Sequence, residues 1–245
     1  MHSTDTAQPA APRRVRPFKQ IGAAAALALA TVVGLVACGS TPTASSAAGS
    51  ATVSPAAATD AAAALRLRGP YPYEYLPKVP GFLLTSATVH NGAPLPQAQL
   101  SKLLGVPGGK DISPQLSWSG FPKATKSFVV SMYDPQAPTG SGFWHWVVID
   151  IPGGTTSLPL DAGAANSDTL PTGAIQLADD AGVHQYVGGA PPAGSGAHDY
   201  SITVTALDVA STGLPATASP AYTGFAIDAH TIARATIVCP TAASH

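Results

Sequence analysis

The chain has 245 residues, 45% of them hydrophobic and only 10% charged, with 24 glycines, 24 prolines and a formal net charge of -1. A mildly acidic balance without a basic stripe excludes a nucleic-acid footprint, and the Gly and Pro content excludes a bundle of long helices. The charge is unevenly placed. Arg13, Arg14, Arg16 and Lys19 precede the first apolar run, and loss of everything before Cys38 leaves 8 basic and 12 acidic side chains, a formal charge of -4.

Residues 1–20 are polar and basic, and residues 21–37 form an apolar or small-residue run of 17 that ends in Leu35-Val36-Ala37-Cys38. A basic start, an apolar core and a small-residue exit form the export pattern, so residues 1–37 are expected to be a signal peptide. An uncleaved membrane anchor is the alternative, because 17 residues reach the lower edge of spanning length. Leu-Val-Ala-Cys resembles the bacterial lipoprotein box, which implies acylation (palmitate among the chains) of Cys38 as the first residue of the mature chain. Several acyl chains give a stable anchor where one is marginal. The expected place is the cell envelope, at the outer face of the cytoplasmic membrane or at an outer membrane. Lipidation of Cys38 leaves Cys239 without a disulfide partner, as a buried small hydrophobe at the end of a strand.

Residues 38–70 are Ala, Ser, Thr, Pro and Gly with few charges or large apolar groups, and are expected to be a disordered tether. The folded domain is then 71–245. Within it, residues 82–89, 127–133, 143–151 and 200–207 read as strands, from their β-branched and aromatic content and their Asp, Pro or Gly stops. Residues 97–104 and 222–235 read as short helices, the second with Ala229, Ile232 and Ala233 as its buried stripe. Long Gly- and Pro-rich loops separate these pieces, so the expected class is mostly β, sandwich- or barrel-like, with a few short peripheral helices. No glycine cluster opens a helix as a phosphate-binding βαβ unit requires.

Polar residues interrupt this β pattern at a few places. Asp134 ends one strand, His145 stands between Trp144 and Trp146 in the next, and His198 and Tyr200 begin a third. Adjacent strands would bring these groups to one rim, where imidazole and phenol donors suit a phosphate or carboxylate. Each has an ordinary alternative: His145 as a satisfied core residue, His198 as a loop cap, Asp134 as a turn former before Pro135. No close His, Cys and Asp cluster supplies a metal site, and no cofactor is implied. A hydrolase has little support, because there is no Gly-x-Ser-x-Gly elbow and Ser195 lies in a loop.

The segments Ser113-Pro114-Gln115-Leu116-Ser117-Trp118, Asp134-Pro135-Gln136-Ala137-Pro138 and Phe143-Trp144-His145-Trp146 resemble the phosphatidylethanolamine-binding protein family, in its bacterial, Raf-kinase-inhibitor-like branch. The resemblance continues through Asp179-Asp180-Ala181-Gly182, Tyr186-Val187-Gly188-Gly189-Ala190-Pro191-Pro192 and Gly196-Ala197-His198-Asp199-Tyr200. It implies a fold of two antiparallel sheets and a pocket for phosphate-like anions or phospholipid head groups. Asp134, His145, His198 and Tyr200 fall on the pocket positions, and Gly189 and Pro191 on its mouth. A cis peptide at Ala190-Pro191, or at the bond before it, is also implied. Three departures stand out: Gln136 replaces a second acid, Asp179 replaces an asparagine, and Asp199 replaces an arginine. They weigh against phosphatidylethanolamine itself and toward a small anion, recognised by the Gln136 amide and the histidines. The leading expectation is therefore a non-catalytic envelope module for a small anion or lipid head group. Inhibition of a protein partner such as a protease or lysozyme, and hydrolysis with a pocket histidine as base, are the alternatives. The resemblance also allows a homodimer.

Overall fold

A run of β-branched and aromatic residues between Gly and Pro stops favours the pleated conformation, because branched side chains pack well on a half-buried surface. The computed structural model, which describes residues 72–243, places its long strands on such runs. They are β3 (Ser127–Asp134), β4 (Phe143–Pro152), β7 (Ala197–Leu207) and β8 (Thr231–Ala242). With β6 (Ile175–Gln176) they form a five-stranded sheet in the order β6-β4-β3-β7-β8. A smaller sheet of β1 (Leu83–Thr85), β2 (Leu116–Ser119) and β5 (Ser157–Leu158) has the order β1-β2-β5. Every strand pairing in the two sheets is antiparallel. The fold is thus mostly β, two antiparallel sheets with a few short helices.

Burial follows position in the sheet. Central β3 and β7 are covered on both faces and read as nearly continuous apolar or small runs. Edge strand β8 instead alternates, burying Ala233, Ala235, Ile237, Cys239 and Thr241. The main core lies between the sheets: Leu116, Trp118 and Leu158 of the small one meet Phe128, Val130, Met132 and Trp146 of the large one. Side chains of this size contribute about 2–3 kcal/mol each on burial. On the other face, Val129, Val147, Ile149 and Leu207 pack under Ile227 of helix α1 (Pro220–Ile227). Cys239 is buried in β8, and burial pushes its thiol up to about 11.

Several sequence expectations are corrected. Residues 222–235 are not one helix: α1 starts earlier, capped by Ser219, and ends at Ile227, with a 3-10 turn (Asp228–His230) before β8. Ala229, Ile232 and Ala233 therefore form no helical stripe. Eleven residue pairs between β7 and β8 outweigh the local helical spacing. Only Gln97–Gln99 of the expected helix over 97–104 is helical, as a 3-10 turn, because the Leu100 carbonyl accepts from the amides of Lys110 and Asp111 instead. The strand expected over 82–89 stops at Thr85, where the Ser86 hydroxyl accepts from the amides of Thr88 and Val89 and turns the chain. No cis peptide occurs among the described residues, so the one implied near Pro191 is absent. The expectations for the signal peptide, Cys38 and the tether lie outside the described residues.

Candidate functional site

β3 is hydrogen-bonded to β4 on one side and β7 on the other. The antiparallel register sets Asp134 opposite Phe143 at the start of β4 and Tyr133 opposite Ser201 near the start of β7. The end of one strand thus meets the beginnings of two others. His198 and Tyr200, two residues apart, share a face. The result brings Asp134, His145, His198 and Tyr200 together, all buried at 2%, 3%, 0% and 0% exposure. Buried polar groups at such a density require partners.

They have them. Asp134 accepts at Oδ2 from His198 Nδ1 (2.7 Å) and at Oδ1 from the Gln136 amide (2.9 Å). His145 Nδ1 faces the carbonyl of Val187 at 3.0 Å; a carbonyl only accepts, so Nδ1 carries the hydrogen. The His145 ring lies 4.7 Å from that of Phe143 and 5.2 Å from that of Tyr200. Burial lowers His145 to about 4 against the raising effect of Asp134, so its imidazole is neutral at pH 7. Burial, then the Asp134 carboxylate, holds the Tyr200 phenol well above its ordinary value.

The loop over this cluster is fixed by partners that the sequence reading missed. Asp111 accepts from the amides of Gly188 (2.8 Å) and Leu103 (2.7 Å), joining two loops. The Gln99 carbonyl accepts from the Gly189 amide and the Tyr186 hydroxyl, and the Ala190 amide donates to the Tyr200 oxygen at 3.0 Å. Gly188 has no room for a side chain: a Cβ there would lie 2.3 Å from the carbonyl carbon of Leu100. At Gly189 it would meet Leu95 at 2.7 Å. Pro191 is buried in the same loop, whose outer flank borders an open cavity of about 250 Å³ lined by Leu100, Leu104, Val106 and Pro107. The polar cluster lies beneath the loop rather than in that cavity.

Two of the departures from the family pattern meet in space. The Asp199 amide donates to Gln136 Oε1 at 2.9 Å, and Gln136 Nε2 approaches the Asp199 carboxylate at 3.4 Å. The Gln136 amide is therefore engaged by Asp199. The third departure, Asp179, accepts at Oδ1 from Ala181 and Val183, while its Oδ2 is buried without a hydrogen-bond partner. Burial raises it to about 6.

Ser195 lies closer to the cluster than its loop position suggests. Its Oγ is 2.8 Å from His198 Nε2 and also 2.8 Å from the Pro192 carbonyl. Hydroxyl, imidazole and carboxylate thus stand in the order of a hydrolase triad, but the one hydroxyl hydrogen faces two acceptors and the Ser195 amide is itself bonded to Pro192. No group of three His, Cys, Asp or Glu side chains with metal-holding geometry occurs among the described residues.

Comparison with known proteins follows the same lines. The family model described as phosphatidylethanolamine-binding protein matches residues 85–241. The chain belongs to this family. It is similar to the UPF0098 protein YbcL of Escherichia coli K12, with 42% identity over 156 residues, 64% of this chain and 85% of the relative. The crystal structure of Escherichia coli YbcL, a member of the mammalian PEBP family, superposes with a TM-score of 0.63 at 41% identity, covering 65% of this chain and 97% of that one. A phosphatidylethanolamine-binding protein homologue, CT736 of Chlamydia trachomatis, superposes with a TM-score of 0.55 at 26% identity, covering 67% and 99%. Membership of this family supports a non-enzymatic assignment.

Proposed function

We propose that this chain is a non-catalytic binding module for a small oxyanion, phosphate-like or the head group of a phospholipid, held at the cell envelope by lipid on Cys38. The observation that carries the reading is the convergence of Asp134, His145, His198 and Tyr200 from three strands under the loop bearing Gly189 and Pro191. A cluster this buried is worth maintaining only where its groups are used, since an apolar core of the same volume would be at least as stable. Its small size favours a head group or free anion over a bulky ligand.

Amide NMR of the chain titrated with phosphate tests the reading. Saturable shifts are expected at His145, His198, Tyr200 and residues 188–192, and are expected to vanish in His145→Ala. An unchanged spectrum at millimolar phosphate would remove the small-anion reading and leave partner capture from the envelope as the next experiment.

A further inference from the structure

A second hollow lies on the other face of the large sheet, away from the buried cluster. Trp144 and His145 are neighbours in β4 and so point to opposite faces. His145 meets Tyr200, whereas Trp144 packs with Val129, Val147 and Ile149 on the α1 side. There Trp144 is registered with Tyr133 of β3, and the two rings lie 4.4 Å apart at 38°. With Tyr75, Pro72 and Pro135 they line an open groove of about 350 Å³. Tyr75 is 83% exposed and presents its ring to solvent.

The rings are held from behind. Tyr133 donates its hydroxyl to the Ser141 carbonyl at 2.7 Å. Gly142 turns beneath it with φ of 71°, where a Cβ would collide with that hydroxyl. The Trp144 amide donates to Asp180 Oδ2 at 2.9 Å, and the Trp144 carbonyl accepts from the Asp180 amide at 3.1 Å. Three aromatic rings and two prolines are left as the apolar wall of the groove.

The charge around this wall has one sign. No Lys or Arg lines the groove. Arg234 belongs to the neighbouring hollow under α1, with its guanidinium 5.1 Å from the Tyr73 ring and 3.6 Å from Asp228. Burial first, then the carboxylates of Asp134 and Asp180, holds the Tyr133 phenol above its ordinary value, so both acids are felt at that ring. The face of an aromatic ring is itself the negative part of its quadrupole. Rings backed by carboxylates attract a cation of diffuse charge and do not suit an anion.

We propose that this groove binds a small methylated ammonium ion of the choline class. Trp144, Tyr133 and Tyr75 supply the contact rings, and Asp180 is the exposed carboxylate that favours the charge. The site stands whether or not the buried cluster takes an anion.

The test is titration of the full chain with choline, with dimethylbutanol (its uncharged carbon isostere) and with methyl glucoside, followed by NMR. Choline is expected to give saturable shifts at Trp144 and residues 139–142, and none at His145 or His198. Dimethylbutanol has the same shape and is expected to bind at least about tenfold more weakly. Tyr75→Ala, at an exposed position, is expected to weaken choline about two- to fivefold. Asp180→Asn keeps an acceptor for the Trp144 amide and removes the charge. It is expected to weaken choline about two- to fivefold and to leave dimethylbutanol unchanged. Equal binding of choline and dimethylbutanol, shifts with methyl glucoside alone, or choline shifts centred on His145 would each overturn the cation site. So would the lack of a saturable choline shift up to high millimolar concentration.

Discussion

His145 and Asp179 are both nearly excluded from water, and burial moves them in opposite senses. A histidine lowered from 6.5 to about 4 is neutral in the folded chain where the unfolded chain is charged. The unfolded state then binds more protons between those values, so this group removes stability as pH falls from 6.5 toward 4. Asp179, raised from 3.8 to about 6, works the other way: the folded state holds the extra proton, so stability rises as pH falls through 6 toward 4. Each contribution has an upper bound of about 3 kcal/mol, so the two largely cancel across that range. Asp179→Asn, which keeps the shape and removes the charge, is expected to stabilise the chain by about 1–2 kcal/mol at pH 7 and by nothing below pH ~4. It should also expose the acid-side loss due to His145. Urea unfolding at pH 4.5 and 7 measures both effects, and a variant with the same pH dependence as the parent would show that Asp179 is ionised without penalty.

At the level of elements, legibility depended on whether local pattern and pairing agreed. β3, β4 and β7 were legible because their β-rich runs end in their own stops, at Asp134-Pro135, at Pro152-Gly153 and at Asp208. β8 was not, because Ala, Thr and Ile in 231–237 fit a helix as well as a strand, and only the register with β7 decides. The same limit applied to the site. Strand residues Asp134, His145, His198 and Tyr200 could be read from their interruption of an apolar pattern, whereas Asp111 and Ser195 act across loops whose paths no local pattern encodes. The α1 start is a case where local chemistry suffices. Ser219 accepts from the Tyr222 amide and Pro220 occupies the first turn. Ser219→Ala is expected to cost about 1 kcal/mol in thermal or urea unfolding, with the β-sheet circular dichroism unchanged. A loss near zero would mean that packing of Ile227, not the cap, holds the helix.

For the whole molecule, the envelope proposal makes a prediction independent of the pocket. Cys38→Ser is expected to abolish incorporation of a palmitate analogue and to release the chain from the membrane fraction, with anion-induced NMR shifts intact. Retention of membrane partition without the label would point to residues 21–37 as an uncleaved span. The sheet order adds a constraint on timing. Tyr200 is registered with Cys239 and His198 with Thr241, both on the edge strand β8. Until that strand is in place, β7 is itself an open edge and the two residues hang on a margin with unsatisfied amides. A chain emerging from a ribosome therefore presents Asp134, His145, His198 and Tyr200 before the strand that completes their sheet. On the proposed reading, a chain clipped before residues 231–242 keeps the candidate residues on an open edge and is expected to show no saturable phosphate shifts in the NMR titration.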